Sequence, residues 1–321
     1  CQAKCPYCDF NSHVVRSVDH SVWRRALVSE IARAGRELPN RQVTSVFFGG
    51  GTPSLMDPTT VDAVLNEISK TWRQSNDIEI TLEANPTSVE AARFEAFRLA
   101  GVNRVSIGLQ ALADHDLKAL GRLHSVREGL NAVETARSIF ERTSFDLIYA
   151  RQNQSVDDWE RELSRALALG PDHLSLYQLT IEPGTAFGDR FARGKLPNLP
   201  SDDASADMYD LTQILCEQSG LPAYEVSNHS RPGAESRHNL TYWRSGDWIG
   251  VGPGAHGRFT VAGKRIATET YRAPQDWLSS ALQASGESER SCFDLEDTFS
   301  ERLMMGLRLA EGVSLPDADP D

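Results

Sequence analysis

The sequence predicts an α/β protein whose parallel sheet curls into a partial barrel. Three observations carry this expectation. Short apolar runs rich in β-branched and aromatic residues alternate with amphipathic helical stretches over residues 20–180, the pattern of parallel strands joined by right-handed helical crossovers. The strand-like runs are too few for a closed eight-stranded barrel. Polar residues also recur at the ends of those runs, where parallel sheets bind ligands.

The chain opens with Cys1-Gln2-Ala3-Lys4-Cys5-Pro6-Tyr7-Cys8, a segment that Pro6 should keep extended and loop-like. Three thiols in so short a loop fit ligation of one iron-sulfur cluster. A 4Fe-4S cube normally takes four thiolates, so three leave one iron open. A zinc site made from Cys1, Cys5, Cys8 and His13 is the alternative, since zinc accepts that ligand set.

Asp19 or Ser21 should cap a helix through Val22, Ala26, Leu27, Ile31 and Ala34, which Pro39 ends. A buried strand at 43–48 then runs into Gly49-Gly50-Gly51-Thr52-Pro53, where glycines let the backbone approach a ligand closely. Further helix and strand pairs follow at 58–72 and 78–82, and at 89–100 and 104–109. Helices at 114–120 and 126–140 lead to a strand at 145–149, and a helix at 156–169 leads to one at 173–179. Beyond the Pro-rich segment 195–200 come a helix at 202–218 and a strand at 224–227. Gly and aromatic residues dominate 242–259, and helices at 274–284 and 295–309 complete the reading. These changes place a boundary near residue 230, with a core domain at 1–230 and a smaller accessory domain at 231–321.

With 40% hydrophobic residues in 321 and no apolar run of membrane-spanning length, the chain should bury a large core and carry no transmembrane segment. A signal peptide is absent from the sequence as given. Five cysteines, three of them crowded together, do not make a disulfide framework and suit a reducing, cytoplasmic setting. Cys216 and Cys292 read as small buried hydrophobes. A net charge of -12 and pI near 5.2 give no basic footprint for nucleic acid. The start on a cysteine and the closing Pro316-Asp317-Ala318-Asp319-Pro320-Asp321, linker-like in composition, suggest a chain trimmed at both ends.

Several polar residues stand where a site would form: Glu83 after the second strand, Gln110 after the third, Asp146 at the start of the fourth, and Arg122 in a Gly-Arg-Leu-His turn. Singly, Glu83 could be a helix-capping acid, Gln110 a surface amide and Arg122 a solvated cation. His238 could cap a turn while Tyr242 and Trp243 fill a core. His229, between Asn228 and Ser230, reads as a solvated residue of a polar turn.

The spacing Cys-x-x-x-Cys-x-x-Cys followed by Gly-Gly-Gly-Thr-Pro resembles the radical S-adenosylmethionine (SAM) superfamily. Asn11-Ser12-His13, Glu83-Ala84-Asn85-Pro86, Ser106-Ile107-Gly108-Leu109-Gln110 and Asp146-Leu147-Ile148-Tyr149 resemble the branch holding oxygen-independent coproporphyrinogen III oxidase and its heme-chaperone relatives. The resemblance implies a partial barrel of that type and a 4Fe-4S cluster on Cys1, Cys5 and Cys8, with SAM on the open iron. Gly50, Gly51 and Thr52 would hold its methionine part. Glu83, Gln110, Arg122 and Asp146 would meet its carboxylate, amine or ribose, with Tyr7 near the adenine.

Two features separate the branches. The oxidase has a fourth cysteine where this chain has Phe10, and His238-Asn239-Leu240-Thr241-Tyr242-Trp243 matches the His-Asn-x-x-Tyr-Trp motif of the chaperones. The resemblance therefore implies a protein that binds heme and hands it to acceptor apoproteins. His238 would ligate iron beside Asn239, Tyr242 and Trp243, and His256 is a secondary candidate. Coproporphyrinogen III dehydrogenase is the alternative, and an RNA-modifying radical SAM enzyme is a third reading that the acidic charge disfavours. The family's first strand, with a Tyr shortly before the first cysteine, has no counterpart here, and its C-terminal domain is incomplete in this sequence.

Overall fold

The structure, a computed structural model, describes residues 1–15, 17–87 and 91–314. The chain runs α1 (His20–Glu37), β1 (Gln42–Phe48), α2 (Pro58–Thr71), β2 (Arg73–Ala84), α3 (Phe94–Leu99), β3 (Arg104–Gln110), α4 (Asp114–Ala119), α5 (Val126–Ile139), β4 (Arg142–Tyr149), α6 (Val156–Ala168) and β5 (His173–Gln178). It continues through α7 (Ala186–Ala192), α8 (Asp202–Gln218), β6 (Ala223–Glu225), β7 (Asn228–Ser230), α9 (Arg237–Trp243), β8 (His256–Val261), β9 (Lys264–Thr270), α10 (Pro274–Gln283), β10 (Glu287–Cys292) and α11 (Leu295–Gly306).

Local chemistry fixes the helix starts. Asp19 accepts from the Ser21 and Val22 backbone N–H groups, and Ser125 with Glu128 and Ser155 with Asp158 form reciprocal capping boxes. Pro58 opens α2, where a missing N–H costs nothing.

The described strands form a seven-stranded sheet ordered β1-β2-β3-β4-β5-β7-β6 and a three-stranded sheet ordered β10-β9-β8. Neighbours from β1 to β5 are parallel, while β7 runs antiparallel to β5 and to β6. The larger sheet is curled into a half-barrel, as the sequence predicts.

Its two faces differ sharply. Ile80, Leu82 and Ala84 of β2, Val105, Ile107 and Leu109 of β3, Phe145, Leu147 and Tyr149 of β4, and Leu174 and Leu176 of β5 join one core with helix residues such as Leu65, Phe97, Val133 and Trp159. The alternate positions are mostly polar. Arg104 Nη2 donates to Ser144 Oγ (2.9 Å), Ser144 Oγ to Ser106 Oγ (3.1 Å), and Ser175 Oγ to Asn228 Oδ1 (2.6 Å). Parallel strands covered by helices on both faces are apolar throughout; this alternation instead marks a largely polar concave face.

The second sheet is tied to α1. Arg33 reaches Glu287 at 2.8 Å, and Trp277 of α10 stacks on Trp23 with centroids 5.6 Å apart. Among the described residues, no helix is long and apolar enough to cross a membrane.

Several expectations are corrected. β1 is an edge strand and only half-buried, because it has a partner on one side alone. β4 begins at Arg142, so Asp146 lies inside the strand rather than at its start. The single strand at 224–227 is two short strands joined at Val226 and Ser227. His229 is 1% exposed, packed in β7, and not a solvated turn residue. Cys292 is exposed at the end of β10, which lacks a second neighbour, whereas Cys216 is buried. The helix at 89–100 is seen as α3; its predicted start at 89–90 and the linker-like 316–321 lie outside the described residues.

Candidate functional site

The cysteine loop sits over the carboxyl ends of the parallel strands. Cys8 N donates to Cys5 O (3.1 Å), closing a turn around Pro6, and Phe187 N donates to Pro6 O (2.8 Å). Gly121 lies against Pro6: its φ is +70, and a Cβ there would stand 2.6 Å from the proline ring. Thr52 Oγ1 donates to Cys1 Sγ at 3.3 Å, and a Cβ on Gly51 would lie 3.7 Å from the same sulfur. Arg122 Nη1 faces Cys5 Sγ at 3.5 Å. Tyr7 is hydrogen-bonded to Cys5, and burial holds its hydroxyl well above the ordinary tyrosine pKa.

His13 turns to Asn11 Oδ1 at 3.1 Å. Among the described residues, no three His, Cys, Asp or Glu side chains converge on the point a single ion would need. Ligands of a polynuclear cluster bind separate irons and need no such point.

Below the loop lies an acidic pair. Asp146 Oδ2 accepts from Gln110 Nε2 (2.7 Å) and Oδ1 from Leu109 N (3.1 Å). Gln110 reaches Asp146 because its own backbone is left-handed, φ 73, at a register shift in β3, a conformation unfavourable for a residue with a Cβ. Burial raises the Asp146 pKa from 3.8 to about 6, and Arg122, Gln110 and Leu109 N–H hold it from rising further. Glu83 is raised from 4.5 to about 8 by burial and by the charge of Asp146, with only the Gly50 N–H opposing. At neutral pH the pair thus carries one negative charge on Asp146 and one proton on Glu83.

Arg122 spans the site. Its Nη2 donates to Asn85 Oδ1 (2.7 Å) and Gly108 O (2.8 Å), and Asn85 Nδ2 donates to Thr52 Oγ1 (3.1 Å). A Cβ on Gly108 would come within 3.2 Å of Arg122 and 3.1 Å of Gln110, so glycine makes room for both. The glycine run, the end of β2 and the cysteine loop are therefore linked through one guanidinium.

The His-Asn-x-x-Tyr-Trp motif forms the short helix α9, held from below by Glu79. That carboxylate accepts from Arg237 N and His238 N (each 3.3 Å) and from Arg142 Nη1 (2.7 Å), which satisfies the open helix terminus. His238 stacks on Phe47 of β1, centroids 3.9 Å apart and planes 9° apart, with Tyr242 edge-on at 4.5 Å. Burial, then Arg104, lowers its pKa to about 3, so the imidazole is neutral.

Tyr7, Gly50, Thr52, Glu83, Gln110, Arg122 and Asp146 are thus brought together with Cys1 and Cys5, and His238 borders them across Phe47. Others are dispersed. Asn239 Nδ2 donates to the Tyr224 hydroxyl (3.1 Å), and Trp243 lies under Arg308 at 4.4 Å. His256 is exposed on β8, 3.5 Å from Glu269. Its glycine-rich neighbourhood does meet the cysteine loop, since Asn11 Nδ2 donates to Pro253 O (3.0 Å) and Arg272 O (2.9 Å).

Sequence reasoning missed Glu79 and Arg104 as members of the concave face. The signal was present: Glu79, Thr81 and Glu83 alternate with Ile78, Ile80 and Leu82, the period of a half-polar strand.

Comparison with known proteins identifies the family of the chain. The radical SAM superfamily profile matches residues 1–166. The chain is 43% identical over 320 residues to radical S-adenosyl methionine domain-containing protein 1, mitochondrial, of Bos taurus, spanning 98% of this chain and 72% of that one. It is 39% identical over 316 residues to heme chaperone HemW of Escherichia coli (strain K12), spanning 98% and 81%. The solved structure of coproporphyrinogen III oxidase HemN from Escherichia coli shares the fold, with a TM-score of 0.79 at 22% identity over 96% of this chain and 73% of that one. The chain therefore belongs to the radical SAM superfamily and, within it, to the HemW family.

Proposed function

We propose that this protein is a heme chaperone that binds a 4Fe-4S cluster, SAM and heme, and passes heme to acceptor proteins. Membership of the superfamily implies the cluster and SAM, and the residues present fit both. Cys1, Cys5 and Cys8 supply three sulfurs, and Phe10, 60% exposed, stands where a fourth cysteine would be. Among the described residues Gln110 Oε1 and Arg122 Nε are buried without hydrogen-bond partners, polar capacity that a bound ligand could use. Together the two groups supply a reducible centre and a sulfonium able to accept its electron. The chain's own contribution is positional and electrostatic: Asp146 and Glu83 suit an ammonium or hydroxyls, Arg122 a carboxylate.

His238 carries the heme reading. It is a neutral imidazole, the form that ligates iron, beside Tyr242 and the cofactor site. Relatives called heme chaperones, at 39% and 32% identity, support the same conclusion.

The test is heme titration of anaerobically reconstituted protein against His238→Ala, followed by Soret absorbance. Stoichiometric binding that the variant loses supports heme custody. Anaerobic formation of protoporphyrinogen IX from coproporphyrinogen III, SAM and a reductant would instead establish the dehydrogenase.

A further inference from the structure

The glycine run and His238 touch the same ring. Gly49 lies against Phe47: a Cβ at Gly49 would stand 2.5 Å from the Phe47 ring and 3.5 Å from Glu83 Oε2, and the Gly50 N–H is bonded to that same carboxylate. The Phe47 ring also carries the imidazole of His238, nearly parallel at 3.9 Å. Tyr242, one helical turn along α9, closes the imidazole edge-on, and is itself held edge-on by Trp248 at 4.5 Å.

A histidine that serves as a ligand is normally oriented by a hydrogen bond from its second ring nitrogen. Among the described residues, α9 is tied down through the His238 backbone N–H to Glu79, while the imidazole itself is fixed by ring contacts. Stacking thus takes the orienting role. A close-packed ring held between two groups moves when either of them moves. The line of contact runs from Cys1 Sγ through Thr52 and the glycines to Phe47 and then to His238.

We propose that Phe47 is a positioning residue which transmits the seating of the glycine run to the imidazole of His238, so that SAM bound at the run presents His238 differently from the SAM-free site. The proposal rests on the SAM site proposed above; its extension, that SAM and heme affinities are coupled, rests on the heme reading as well. Coupling of that kind is reciprocal, each ligand changing the other's affinity by the same factor.

The experiment uses reconstituted protein kept unreduced, with and without SAM. Acylation of His238 by diethyl pyrocarbonate is followed by peptide mass spectrometry, with exposed His256 as the internal standard and buried His229 as the reporter of unfolding. SAM should slow His238 acylation about fivefold or more in the parent. The effect should persist in Phe47→Tyr, which keeps the flat face, and vanish in Phe47→Leu, which keeps an apolar side chain without it. An equal SAM effect in the leucine variant, or none in the parent, overturns the proposal. Should Phe47→Leu expose His229 and so prove unfolded, loss of the SAM effect in the tyrosine variant overturns it instead. Heme titration on the same samples separates the two readings: absence of heme binding removes heme custody while a SAM-dependent His238 retains the role of Phe47.

Discussion

Replacing Glu83 by Gln should change how stability depends on pH, with a sign and size set by the acidic pair. In the folded protein Glu83 keeps its proton to about pH 8, whereas the ordinary value is 4.5. Between those limits the unfolded chain binds fewer protons than the folded one, so stability contributed by this group is full below pH 4.5 and is lost as pH rises towards 8. Asp146, raised from 3.8 to about 6, acts in the same direction over a lower window. Each pH unit crossed removes at most about 1.4 kcal/mol. Glu83 keeps partial contact with solvent and shares its window with Asp146, which reduces the total to on the order of 3 kcal/mol.

Glutamine cannot ionise, so the variant lacks this loss. Urea unfolding of cluster-free protein at pH 5.5 and pH 8 should show the parent losing on the order of 2–3 kcal/mol more than Glu83→Gln across the interval. Groups elsewhere titrate in both proteins and cancel in the difference. Parallel stability profiles would refute the argument, because they would mean that Glu83 is already ionised at neutral pH.

Two further outcomes follow from the same geometry. A cation arriving beside Glu83 should drive off its proton, so SAM binding near pH 7 should release protons, measured by calorimetry in buffers of different ionisation enthalpy; Glu83→Gln should abolish the release. Gly121→Ala should displace the cysteine loop, since its Cβ would meet Pro6 at 2.6 Å with φ at +70. Its expected signature is reduced iron content after reconstitution together with about 1 kcal/mol or more of lost stability.

The alternation of strands and helices, the helix caps and the cysteine spacing are local properties, and the sequence by itself determined them. Asp19, Ser125 and Ser155 cap their helices through backbone groups two or three residues away, so neighbouring residues suffice to specify those starts. The half-polar period of β2 is equally local, because side chains alternate across any strand.

Tertiary structure alone decided which of these residues meet. Arg122 reaches Cys5 across 117 positions and Gln110 reaches Asp146 across 36; register and curl of the sheet, not spacing, set both contacts. The same holds for residues whose surroundings came out opposite to their local reading. His229 is buried because β7 pairs on both sides, and Cys292 is exposed because β10 is an edge. His238 lies on a helix whose first turn is held by a carboxylate from β2 and whose ring rests on β1. Burial and ring stacking are sums over neighbours distant in the chain, so a motif names such a residue while only the folded sheet gives it a role.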